Sequence, residues 1–124
     1  MPRKRILVKS IDTSISYQVI GIDLAKHLVS ACLITGAGEI FGIDRLTYDD
    51  LLKSAERMSP TLFCMEPCPE VHYLAEKLQG YGHHTKVIDG AAVKEYIKTH
   101  FGGQKTDLND AQAIAFLSLD TNLP

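Results

Sequence analysis

The sequence lacks the features that mark membrane, secreted or strongly basic proteins. Its formal net charge is −2, so no overall basic field points to nucleic acid, although none excludes it. No apolar run approaches the roughly 20 residues that cross a bilayer. The cysteine count is odd, with only Cys32, Cys64 and Cys68, and no secretory leader precedes them. A chain of 124 residues with this composition is expected to be one cytoplasmic domain with reduced thiols.

The amino-terminal segment differs from the rest of the chain. Residues 1–15 are predicted to be a polar lead-in, and residues 16–120 to form the folded domain. Basic residues cluster in the lead-in at Arg3, Lys4 and Arg5. This cluster is either an arm that contacts nucleic acid or, as we favour, a solvated terminus.

Hydrophobic periodicity predicts an α/β domain with five strands. The strands are expected at 17–23, 27–35, 39–46, 61–66 and 84–88, and helices at 47–59, 70–79, 91–100 and from 107 onward. Short links favour an antiparallel meander for the first three strands, and the alternating helices imply parallel pairing for the later ones. A mixed sheet of this order, flanked by helices, is the plan of the ribonuclease H-like fold.

Four acidic residues stand at positions that suggest a metal site. Asp23 and Glu66 end the first and fourth strands, which are neighbours in this plan, so both acids are expected at one rim of the sheet. Asp107 and Asp110 lie three residues apart where the last helix begins, and so share a face. Each acid alone has a simpler explanation, such as a cap or a favourable helix dipole. Together they predict a site for two magnesium or manganese ions.

Three segments resemble the acidic motifs of a known family. They are 19–26 (Val-Ile-Gly-Ile-Asp-Leu-Ala-Lys), 64–75, which begins Cys-Met-Glu-Pro-Cys, and 105–111 (Lys-Thr-Asp-Leu-Asn-Asp-Ala). In order and spacing they are similar to the motifs of the DEDD transposases of the insertion sequence 110 type, the family of the pilin-gene inverting protein Piv. The resemblance implies a RuvC-like catalytic domain for DNA transposition or site-specific recombination. It assigns the metal-binding tetrad to Asp23, Glu66, Asp107 and Asp110.

The resemblance carries further implications for partners and for the missing part of the family pattern. It implies DNA as substrate, a homodimer or tetramer and, for many members, a structured guide RNA. The chain stops at Pro124, so the carboxy-terminal domain that supplies the family's nucleophilic serine is expected to be absent. Pro67 and Pro69 stand where the family usually has small residues, which predicts a stiffer loop after Glu66.

Several alternatives remain open from the sequence. A freestanding nuclease similar to a Holliday-junction resolvase has the same fold, and a non-catalytic module for nucleic-acid binding or dimerisation would leave the acids without a role. Lys26 and Lys105 flank the acids and either contact phosphate or are solvated. A zinc site built from Cys64, Cys68 and the histidines is disfavoured, because no second cysteine pair is present.

Overall fold

The structure is a computed structural model, and it describes residues 4–119. Arg3 of the basic cluster and the predicted domain end at residue 120 lie outside the described residues. Six strands and four helices follow one another in this part of the chain: β1 Ile6–Leu7, β2 Tyr17–Leu24, β3 Leu28–Thr35, β4 Ile40–Thr47, α1 Tyr48–Arg57, β5 Leu62–Met65, α2 Val71–Gly80, β6 His84–Val87, α3 Gly90–His100 and α4 Asp107–Ser118. None of these helices is long and apolar enough to span a membrane.

The strands form one mixed sheet in the order β1-β4-β3-β2-β5-β6. β2, β3 and β4 pair antiparallel as a meander, and β5 and β6 continue the sheet in parallel from β2. The predicted sequence of antiparallel and then parallel strands is therefore confirmed, and the arrangement is consistent with a ribonuclease H-like fold. Gly38 closes the β3–β4 turn with φ of 89°, a backbone conformation that favours glycine.

The sheet has six strands rather than the predicted five, because β1 lies inside the expected lead-in. Ile6 and Leu7 pair in parallel with Phe41 and Gly42 at the outer edge of β4, and the Val8 amide extends this pairing by donating to the Gly42 carbonyl at 2.9 Å. Two exposed residues beside a basic cluster carry no measurable periodicity, so the sequence alone did not predict this strand. Its backbone pairing protects the edge of β4.

Helices cover both faces of the sheet, which gives three layers. Alternation along β2 sends Ile20 and Ile22 into the core beneath α1 and α2, and Val19 into the core beneath α3 and α4. β5 divides its side chains in the same way, with Phe63 on the first face and Cys64 on the second. Cys64 is thus a buried core residue.

α4 lies closest to the sheet, and Gly21 makes this approach possible. A Cβ atom on Gly21 would stand 2.3 Å from the Ala111 carbonyl oxygen and 2.5 Å from the Ala115 amide nitrogen. Such distances are impossible for non-bonded atoms, so only glycine permits the contact at this point of β2. Most of α4 is consequently buried, including its polar residues Asn109, Asp110 and Gln112.

Candidate functional site

Strand alternation places two of the predicted acids on the face that α4 covers. Side chains alternate between the two faces of a sheet, so Asp23 is on the same face as Val19 and Gly21 of β2. By the same alternation Glu66, the residue after β5, is on the face of Cys64. The parallel register pairs Gly21 with Cys64, so Asp23 and Glu66 follow next on the two neighbouring strands. The sheet thus brings both acids to one rim, as the sequence predicts.

The first turn of α4 supplies the other two acids. Thr106 caps this helix, because its hydroxyl accepts a hydrogen bond from the Asn109 amide at 3.0 Å. Asp107 is exposed in this turn, whereas Asp110 is only 2% exposed. The two carboxylates therefore start from one helical turn but experience different surroundings.

Within residues 4–119, the Asp110 carboxylate has one oxygen that is paired and one that is not. Its Oδ2 atom accepts a hydrogen bond from the Lys105 ammonium, which also forms an ion pair with it. Its Oδ1 atom is buried and has no hydrogen-bond partner in the part of the chain that the structure describes. A buried carboxylate oxygen without a partner is unfavourable, and a bound cation would satisfy it.

The electrostatics of the acids show that they are close enough to influence one another. The pKa of Asp23 is raised to about 7, first by burial and then by the negative charges of Asp110 and Asp107 and a hydrogen bond with Asp107. Burial, and then the charge of Asp110, raise the pKa of Glu66. Lys105 opposes both shifts because its positive charge favours the ionised carboxylates.

The acids nevertheless do not form a closed ligand set. Within residues 4–119, no group of three or more histidine, cysteine, aspartate or glutamate side chains lies close enough to hold one metal ion. Asp110 and Lys105 line one cavity with Glu66, whereas Asp23 and Asp107 line another. The donor chemistry fits a hard divalent cation, but the side chains must move closer together to bind one.

The two cavities differ in character. The larger, of about 520 Å³, extends from Glu66 and Asp110 along α3, with Val93 and Ile97 as its apolar wall. Lys94, Lys98 and Lys105 also line it. The smaller, of about 230 Å³, lies between Asp23, Asp107 and the strand residues Asp44 and Arg45.

Sequence reasoning missed Arg45. This exposed arginine has φ of 65°, the only positive value among the non-glycine residues that the structure describes. It lies at a register shift between β3 and β4, where an extra residue turns the strand. Neither the position of Arg45 beside Asp23 and Asp107 nor its backbone conformation follows from its sequence neighbours.

Arg5 and two residues of α4 were also missed. The Arg5 guanidinium donates hydrogen bonds to Asn109 Oδ1 at 3.3 Å and to Gln112 Oε1 at 2.9 Å. The favoured solvated terminus is therefore wrong for Arg5, which is half-buried against α4. Asparagine and glutamine within an otherwise apolar helix were the one available signal that a polar partner covers them.

The remaining candidates have other positions or other roles. Lys26 is exposed in the turn between β2 and β3, and no hydrogen bond or ion pair joins it to the acids in the described part of the chain. His83, from the zinc alternative, is buried: its Nδ1 accepts from the Thr61 amide at 3.0 Å, and its Nε2 lies 2.6 Å from the Ala55 carbonyl oxygen. This histidine thus joins α1 to the start of β5.

The fold and the rim of acids define a mixed α/β protein of ribonuclease H-like plan with a candidate carboxylate site. Comparison with known families makes this more specific. Residues 20–123 match the family model of the IS110-type DEDD transposases, described as "Transposase". The chain belongs to this family, which confirms the resemblance drawn from the three acidic motifs.

Individual relatives agree with the family assignment. The chain is 29% identical over 98 residues to the transposase for insertion sequence element IS1111A of Coxiella burnetii, covering 79% of this chain and 26% of that protein. It is 27% identical over 95 residues to the putative transposase y4pF/y4sB of Sinorhizobium fredii, covering 77% and 24%. It is 28% identical over 96 residues to the transposase for insertion sequence element IS1328 of Yersinia enterocolitica, covering 77% of this chain and 28% of that protein. The chain thus spans about a quarter of the length of these relatives.

Proposed function

We propose that this chain is the amino-terminal, RuvC-like catalytic part of a DNA transposase or site-specific recombinase. Asp23, Glu66, Asp107 and Asp110 are proposed to hold two divalent ions, magnesium or manganese, for DNA strand cleavage and transfer. The observation that carries this proposal is the buried Asp110 carboxylate: its Oδ1 has no hydrogen-bond partner among residues 4–119, and its negative charge acts on a second acid, Asp23. Family membership supports DNA as the substrate.

The chemistry of the donors supports divalent ions rather than softer metals. Carboxylate oxygens are hard ligands, which favour magnesium and manganese. When bound, such ions activate a water or hydroxyl nucleophile and stabilise the leaving oxygen in phosphoryl transfer. The pKa of Asp23 is raised to about 7, so cation binding at or below neutral pH should also displace protons from this carboxyl group.

Lys105 is proposed to leave its ion pair with Asp110 and to bind a DNA phosphate instead. Its side chain is 74% exposed, whereas the Asp110 side chain is 3% exposed. The lysine can therefore swing outward once a cation takes over the charge of Asp110, and its ammonium then meets a phosphate oxygen. Lys26, in the turn between β2 and β3, is proposed to contact the same DNA backbone.

The larger cavity is proposed to receive the DNA strand beside the acids. Lys94, Lys98 and Lys105 provide positive charge for phosphates, and Val93 and Ile97 provide an apolar wall. The family resemblance adds the proposals of a cytoplasmic homodimer or tetramer and a structured guide RNA. It also places the nucleophilic serine in a carboxy-terminal domain, so recombination is proposed to require that domain.

Calorimetric titration of Mn²⁺ into the purified chain tests the proposed site. We expect saturable binding that is lost in the Asp107→Asn, Asp110→Asn double variant, because it removes two of the four ligands and both negative charges. The matched control is Asp49→Asn with Asp50→Asn, two exposed acids in the first turn of α1. Binding that survives in the folded tetrad variant would refute the metal site.

A non-catalytic nucleic-acid-binding module is the second candidate. It is favoured by one observation, namely that no three ligating side chains within residues 4–119 are close enough to share a metal. This candidate predicts DNA binding that needs no divalent ion and is unchanged in Asp23→Asn. Metal-dependent cutting of branched DNA by the chain alone would instead support the resolvase-like alternative.

A further inference from the structure

The amino-terminal segment reaches the acidic turn of α4 through one side chain. Arg5 lies just before β1, and its aliphatic part crosses Gly42 of β4: a Cβ on Gly42 would stand 2.9 Å from Arg5 Cδ and 3.0 Å from Cγ. Glycine at position 42 therefore leaves the passage through which the arginine reaches α4. The positive charge of Arg5 also acts on the buried Cys32 thiol of β3, where it opposes the rise in pKa caused by burial.

The guanidinium ends on two buried amide side chains that flank Asp110. Asn109 is 6% exposed and Gln112 is 5% exposed, and their side-chain oxygens accept from the same Arg5 nitrogen. Amide oxygens at this depth need donors, and water cannot readily supply them. Arg5 thus satisfies the two polar side chains that precede and follow Asp110 in the sequence of α4 and share one face of that helix.

Asn109 passes this restraint on to the loop that carries Lys105. Its side-chain nitrogen donates to the Gln104 carbonyl at 2.8 Å, and its backbone amide donates to the Thr106 hydroxyl at 3.0 Å. Asn109 therefore connects Arg5 and the residue before Lys105 through its side chain, and the cap of α4 through its backbone amide. The acids Asp107 and Asp110 stand on either side of this connection.

We infer that Arg5 is a positioning residue: it fixes the first turn of α4, and with it Asp107, Asp110 and Lys105, in the orientation that the metal site requires. The inference rests on the proposed metal site. Arg5 precedes the region that matches the family model, residues 20–123, so the role belongs to the segment outside that match. Groups that hold metal ligands in place typically change metal affinity by about 10- to 100-fold when they are removed.

Two different substitutions should each remove the contact between the Arg5 guanidinium and α4. Arg5→Gln removes the guanidinium, and Gly42→Ala leaves it in place but pushes its side chain out of the passage. Both are expected to weaken Mn²⁺ binding about 10-fold or more, measured as the calorimetric Kd. Arg5→Lys keeps the charge without the planar group and should recover only part of the affinity. Lys4→Gln, one residue earlier and exposed, should leave the Kd unchanged.

Hydrogen exchange provides a readout that does not depend on the metal. The Asn109 and Asp110 amides, which donate to Thr106, should exchange about tenfold faster in Arg5→Gln and Gly42→Ala. Amides of α1 on the opposite face should keep their rates. Unchanged exchange at Asn109 and Asp110, or equal acceleration throughout the protein, would overturn the positioning role. If the parent chain binds no Mn²⁺, the proposed function fails, and the exchange comparison alone supports or overturns this inference.

Discussion

At the scale of single residues, the four acids share the same carboxyl chemistry but differ in their surroundings. Asp110 is buried and ion-paired with Lys105, whereas Asp107 is exposed one helical turn earlier. Asp23 is partly buried, and its ionisation is opposed by that burial and by the negative charges of Asp110 and Asp107. A metal ion and a proton thus compete for the same oxygens, and the competition should be visible in stability.

The first prediction concerns the pH dependence of Asp23. Its pKa is about 7 in the folded protein, against 3.8 for an ordinary aspartate, so the folded state binds more protons between these values. Without metal, stability should therefore fall as pH rises through this window. Asp23→Asn cannot ionise and should be more stable than the parent at about pH 8, by roughly 1–2 kcal/mol after allowance for solvent screening. The difference should vanish near pH 4.

Urea unfolding across this pH range measures the effect. Glu56→Gln, an exposed acid of α1, controls for the loss of one negative charge. Parallel stability profiles for the parent and Asp23→Asn would show that Asp23 ionises freely, and would contradict the electrostatic account of the site.

At the scale of elements, the site depends on the contact between α4 and β2. The glycine at position 21 lets the helix backbone lie directly on the strand, with the small residues Ala111 and Ala115 at the contact. The first turn of the same helix carries Asp107 and Asp110 toward Asp23. Any outward movement of α4 should therefore separate the acids as well as loosen the core.

The second prediction follows from this contact. Gly21→Ala places a methyl group against backbone atoms that cannot rotate away, so α4 must shift outward. We expect a loss of about 1–3 kcal/mol in the free energy of unfolding, a typical cost of overpacking, together with weaker Mn²⁺ binding. Gly36→Ala is the matched control, since a Cβ there would meet no atom within 4 Å. Native stability and affinity in Gly21→Ala would contradict the proposed role of the contact.

Local patterns predicted most elements, because their causes lie close together in the sequence. Thr47 caps α1, since its hydroxyl accepts a hydrogen bond from the Asp50 amide three residues later. The alternation in β2 and the tight turn at Gly38 likewise fixed the meander. Asp23 and Glu66 then followed from strand order alone, which is why the sequence could place them at one rim.

The parts that could not be predicted depend on residues far apart in the chain. The side-chain oxygens of Asn109 and Gln112 have a donor in Arg5, more than 100 residues earlier, which reaches them across Gly42. β1 forms because β4 offers a free edge, and Arg45 adopts its conformation because of the register shift with β3. Gly21 did carry a signal, since a glycine inside a strand often marks a close backbone approach.

At the scale of the whole molecule, lysines lie on both helical layers, but only some of them are near the acids. The formal net charge is −2, so the chain has no overall positive field that would draw DNA to it. Lys94, Lys98 and Lys105 nevertheless line the cavity beside the acids, on the α3–α4 side. Lys53 and Lys77 belong to α1 and α2 on the other side of the sheet. Position rather than total charge should therefore determine DNA affinity.

The third prediction compares two pairs of lysines. Lys94→Gln with Lys98→Gln should weaken DNA binding, and the slope of log affinity against log salt should fall by about 1.5–2 if each lysine contacts one phosphate. Lys53→Gln with Lys77→Gln lowers the net charge by the same amount but should leave both quantities unchanged. Fluorescence anisotropy with a short labelled DNA, in divalent ion and over a range of salt, measures them.

The comparison separates a local DNA surface from a general charge effect. Equal losses from the two pairs would mean that DNA responds only to net charge, and the cavity along α3 would then have no part in binding. Mn²⁺ affinity should remain unchanged in both double variants, because within residues 4–119 no ion pair or hydrogen bond joins either pair of lysines to the four acids. A change confined to the Lys94 and Lys98 pair, with an intact metal site, would place the DNA backbone along α3 and direct it toward Glu66 and Asp110.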